Sequence, residues 1–147
     1  MTKEDRLLLV KDLSARLPYG VEIEHIKSGM RGVLHELNVY PMYDDNDNVF
    51  DCICHTDFFG DGDSFEISEF KPYLFPLSSM TEEQHHELFT YFHNVEMNEI
   101  IASGDYLTAS YLGENAKRDW LRKNHFDFMG LIPKDLAIDA TNKNIYN

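Results

Sequence analysis

The residues best suited to chemistry crowd into MTEEQHHELFTYFHNVE (80–96), which carries Glu82, His85, His86 and His93. Imidazole and carboxylate groups together are the donors of zinc sites and of general acid–base pairs. On a helix Glu82 and His86 stand one turn apart and can share one ion. His93 lies about 10.5 Å further along at 1.5 Å per residue, out of reach of the same metal. The spacing is not that of H-E-x-x-H, because adjacent histidines point in different directions. Partly exposed boundary histidines flanking a buried stripe of Leu88, Phe92 and Val95 are the better account of the pattern.

A second donor cluster is Cys52, Cys54 and His55 in FDCICHT. A closed zinc site needs four ligands, so His25 or His35 would have to complete it. On a strand, residues i and i+2 share a face with Cα atoms roughly 6.6 Å apart and side chains parallel, which disfavours a disulfide between the two cysteines. Small apolar packing is the simpler role for both. The acidic turns DDNDN (44–48) and GDGDS (60–64) lack the glycine and bidentate glutamate positions of a calcium loop, and read as surface turns.

Arg118, Arg122, Trp120 and His125 make up the remaining candidate, a ligand-binding set in and just after KRDWLRK. Two arginines one turn apart can grip a phosphate or carboxylate. Cations at a helix C-terminus also simply complement its dipole. No G-x-S-x-G, phosphate loop or dinucleotide fingerprint occurs, so no catalytic residue and no cofactor is assigned, and the chain reads as a non-enzyme.

Charge narrows the partners. Twenty-six acidic residues face 13 basic ones, a net of −13, which argues against nucleic acid and against anionic membrane surfaces and favours a basic protein partner. Two cysteines and no disulfide framework suit a reducing cytoplasm. MTKEDRLLLVKDL is too charged for a signal peptide, and no run approaches the ~20 apolar residues of a membrane span.

The 147 residues fit one domain of α+β class. Residues 1–17 form an N-terminal helix with Thr2 and Asp5 as a capping box, stopped by Pro18 and Gly20. Residues 20–70 give about four antiparallel strands (21–26, 31–40, 49–56 and 65–70), a small sheet able to curl into a barrel. Pro72 and Pro76 end the last of them, since proline lacks the ladder donor. Residues 81–124 form a helical layer: one helix over 81–102, with Thr81 as N-cap and Gln84 at N3, and another over 115–124, capped by Asn115 after an interruption at Gly113. Residues 125–147 form a packed tail whose end, ATNKNIYN, is loose.

RLPYGV (16–21), KPYLFPLSSMTEEQ (71–84) and DWLRKNHFDFMGLIPKDLAID (119–139) together cover 41 of the 147 residues. As a set they resemble a family of small uncharacterised proteins of gut anaerobic bacteria and their phage-like or mobile elements. The resemblance implies a bacterial, cytoplasmic setting and carries over no activity, cofactor or catalytic residue. The expected function is that of a non-enzymatic protein-interaction or accessory protein of a mobile element. Two alternatives stand beside it: an acidic inhibitor or immunity protein covering a basic surface, and a metal-dependent enzyme using histidines.

Overall fold

The computed structural model describes residues 1–57 and 65–146, with the side chains of 49–57 outside the described set. The architecture is α+β, with an N-terminal helix, one mixed and one antiparallel sheet, and C-terminal helices. It divides into two units, Met1–Leu74 with Met129–Asn147, and Phe75–Phe128.

In the first unit, α1 (Lys3–Arg16) starts at the anticipated box: the Thr2 hydroxyl accepts from the Asp5 amide, and the Asp5 carboxylate accepts from the Thr2 amide. A single 3-10 turn over Leu17–Tyr19 follows, and Gly20 at φ 67° supplies the left-handed exit that a side chain would resist. α1 buries Leu9 and Leu13, but also Asp12 and Arg16, whose Nε–Oδ2 separation is 2.6 Å. Arg16 is completely buried, so its charge is tolerable only because Asp12 sits one turn away in the same interior.

β1 (Glu22–His25) pairs antiparallel with β2 (Arg31–Val33) around the anticipated turn. The stretch 31–40 is not one strand. Leu34 turns inward, its amide bonded to the Val21 carbonyl at 2.9 Å, and β3 (Glu36–Tyr43) begins a separate sheet. There β3 pairs with β4 (Val49–Asp57), which pairs with β5 (Phe65–Glu66). Among the described residues the strands thus form two open sheets and do not curl into a barrel.

The 65–70 strand also differs from expectation. After β5 a 3-10 turn spans Ile67–Glu69, and β6 (Phe70–Pro76) runs through both prolines. In the first unit β6 pairs with β1 on one side, and in parallel with β8 (Ile138–Asp139). The ladder tolerates Pro72 because successive residues face opposite edges. Glu69 O accepts from Ile26 N at 2.8 Å and so faces β1; three positions on, Pro72 faces away and needs no donor there. Leu9, Leu13, Ile23, Phe70, Leu74 and Leu131 form the interior of this unit, each large side chain contributing about 1.5–3 kcal/mol.

In the second unit the end of β6 pairs in parallel with β7 (Phe126–Asp127), Phe75 opposite Phe126. The remainder is a helical hairpin. α2 (Glu82–Ser103) opens on the Thr81–Gln84 box and closes at Gly104, φ 69°. α3 (Tyr106–Lys123) is one uninterrupted helix capped by Asp105, not a helix starting at Asn115. Its buried row, Ala109, Gly113, Ala116 and Trp120, repeats at four, three and four residues, the spacing of one helix face. Gly113 belongs to that row because the Glu96 side chain of α2 occupies the space its Cβ would fill. Leu88, Trp120, Leu121 and Phe126 are the core here.

Candidate functional site

α2 is 22 residues long yet buries only Leu88. Met97 lies nine residues from Leu88, half a turn round the helix at 100° per residue, and Ile101 follows one turn later. On α3, Leu107 and Tyr111 occupy the side away from the buried Ala109–Gly113 row. Exposure climbs toward the hairpin end: Ile101 is 79% exposed, Tyr106 71%, Leu107 85% and Tyr111 68%. The end of the hairpin therefore presents large apolar side chains on both of its outer sides.

Charge is sparse there. Between Met97 and Leu112 only Glu99 and Asp105 are ionisable carboxylates, with no cation. Asp105 is engaged by the cap: its carboxylate accepts from the Thr108 hydroxyl and amide and from the Leu107 amide. Those bonds, Thr108's first, hold its carboxyl below the ordinary aspartate range.

Nearer the base of the hairpin lies an apolar groove of about 390 Å³. Met80, Leu88, Phe92 and Leu121 form its floor, and Leu77, Phe89, His85 and Lys117 its margins. Phe89 packs edge-on to Phe92 and stacks on His93. Lys117 Nζ stands 5.7 Å from the centre of the Phe92 ring.

The residues singled out by sequence are distributed otherwise. Trp120 is buried and stacked on Phe126, with ring centres 5.9 Å apart, so it is core rather than ligand platform. Arg122 is held by Asp119 at 3.2 Å and by the Phe128 ring at 5.3 Å. Arg118 is exposed, and His125 occupies the left-handed turn that leads into β7, at φ 62°. These four residues do not share one open surface. Glu82 and His86 are both exposed in the first turns of α2, and no cluster of three or more potential metal donors occurs among the described residues. The backbone of Cys52, Cys54 and His55 lies in β4; their side chains fall outside the described set. His25, a possible fourth ligand in that scheme, is buried with Nδ1 2.8 Å from Ser28 Oγ. In DDNDN the Asp44 carboxylate closes its own turn by accepting from the Asn46 and Asn48 amides, which lower its pKa, Asn48's most. GDGDS lies outside the described residues.

Sequence reasoning missed the hairpin end and the groove. Ile101, Leu107 and Tyr111 look like core residues in a one-dimensional pattern, and nothing local marks them as uncovered. No family model, curated protein or solved structure matches the chain.

Proposed function

We propose that this is a non-enzymatic protein-interaction module, an accessory protein acting in a bacterial cytoplasm, that docks through the end of its α2–α3 hairpin. The observation that carries this reading is the exposure of Ile101, Tyr106, Leu107 and Tyr111, each more than two-thirds uncovered at one end of the hairpin. Apolar surface of this kind, nearly free of charge, is the usual mark of an association site. Its distribution on both outer sides fits a partner with an apolar recess that receives the hairpin end. A flat partner covers only one side.

The net charge of −13 favours a basic surround to that recess. Long-range attraction then accelerates encounter, while apolar burial sets the lifetime of the complex. The acidic-inhibitor alternative takes a specific form in this reading: the acids steer and the hairpin end anchors.

A photo-crosslinking residue at position 107 tests the reading in host cells. The expected result is a discrete adduct, absent when the probe is at exposed Lys3 and lost when Ile101→Lys is added. Identical adducts from both probe positions, or none from position 107, would refute docking by the hairpin.

A further inference from the structure

The groove at the base of the hairpin has a feature that apolar packing leaves unexplained. Lys117 extends over the Phe92 ring at its margin, yet no carboxylate among the described residues pairs with it. In a chain with twice as many acids as bases, this cation beside an apolar floor forms no ion pair. The groove's volume, about 390 Å³, falls in the range of small-molecule sites, roughly 300–1,000 Å³. Its floor of Met80, Leu88, Phe92 and Leu121 carries no charge and accepts only an apolar body.

From this geometry we infer that the groove binds an amphipathic monocarboxylate, its hydrocarbon portion over Leu88, Phe92 and Leu121 and its carboxylate at Lys117. The two contributions are separable. Apolar burial supplies most of the affinity and does not distinguish head groups. The Lys117 ammonium supplies the preference for an anion, because a charge-assisted contact at the edge of a low-dielectric surface exceeds one in open water. The Phe92 face, itself attractive to a cation, holds the ammonium at the margin, 5.7 Å from the ring centre. His85, on the same margin, adds a donor without being required. The site is distinct from the hairpin end that carries the proposed protein contact.

The test uses the full chain with octanoate, octanol and octylammonium as probes, the two ionic ones below their micelle concentrations and octanol below its solubility, followed by amide NMR shifts and calorimetry. The inference expects saturable octanoate binding with shifts centred on residues 77–92 and 117–121, and affinity about tenfold above that of octanol, the ratio of one good charge-assisted contact. Lys117→Met should lower octanoate affinity to the octanol level and leave octanol unchanged. Lys117→Arg should keep the preference. Because Lys117 is a partly exposed residue, both variants are expected to fold, and their amide spectra establish this directly. Equal affinity for the three probes, shifts centred elsewhere, an undiminished preference in Lys117→Met, or no saturable octanoate binding would each overturn the assignment.

Discussion

The Tyr146 hydroxyl donates to the Tyr73 carbonyl oxygen at 2.6 Å while accepting from the Glu22 amide at 3.0 Å. Ile23 stands opposite Pro72 in the β1–β6 ladder, so Glu22 and Tyr73 are the next pair in register. A side chain from the end of the chain thus fills the place of a direct backbone bond. The expectation of a loose tail is corrected at this point: Tyr146 spans a gap in the sheet. Tyr146→Phe should destabilise the protein by about 1–3 kcal/mol, the cost of leaving part-buried backbone groups without their partner. Urea denaturation measures it, with Tyr43→Phe at the exposed end of β3 as the control. Equal midpoints for the two variants would contradict the bridging role.

The same corner predicts a response to alkali. Burial first, and then the hydrogen bond its phenol donates to Glu24, push the Tyr73 pKa up to about 12. Burial also raises Tyr146. Both phenols therefore hold their protons more tightly folded than unfolded, where tyrosine titrates near 10. The sign follows: their contribution is complete below pH ~10 and is lost as pH rises through about 12. Denaturation midpoints between pH 8 and 11.5 should fall for the wild type, and fall less steeply for Tyr73→Phe. The difference between the two proteins is the quantity to follow, because it cancels every contribution they share.

Gly113 and Glu96 offer a test of the hairpin interface. A Cβ at position 113 would fall within the Glu96 side chain, so Gly113→Ala must displace it from a partly buried position. The expected cost is about 1–3 kcal/mol, as for other overpacking changes. Glu96→Ala in the same chain should remove that cost. The double variant should then approach or exceed wild-type stability, because alanine is favoured over glycine in a helix by about 1 kcal/mol. An additive double-mutant cycle would show that the two residues are not coupled.

What was legible in the sequence was what local chemistry decides. The Thr2–Asp5 and Thr81–Gln84 boxes are formed by residues three apart, and both helices begin where those boxes place them. Pairing across the chain was less legible. Pro72 reads as a strand breaker until the edge it faces is known, and Gly113 reads as a helix breaker until Glu96 is seen beside it. Trp120 among arginines suggests a binding platform, but its stacking on Phe126 is a tertiary fact without a local signal. Arg16 and Asp12 carry the same lesson, since the polar i, i+4 pattern of a surface pair here lies in the interior.

The hairpin end yields the prediction that bears most directly on function. Leu107 is in the first turn of α3, where an acid favours the helix dipole, and Ile101 is in the last turn of α2, where a cation does. The pair Ile101→Lys and Leu107→Glu should therefore leave stability within about 0.5 kcal/mol of wild type or raise it slightly, as expected of side chains that are 79% and 85% exposed. It should also remove the apolar surface on which partner binding depends. Scanning calorimetry together with the crosslinking yield from a probe moved to position 111, on the same exposed end, separates these effects, because a docking residue changes yield without changing the unfolding midpoint. A loss above about 1 kcal/mol would place both side chains in this chain's own packing. A retained partner in a stable double variant would locate the contact elsewhere. Salt divides the remaining contributions: if the −13 charge steers a basic partner, raising ionic strength should slow association far more than it speeds dissociation.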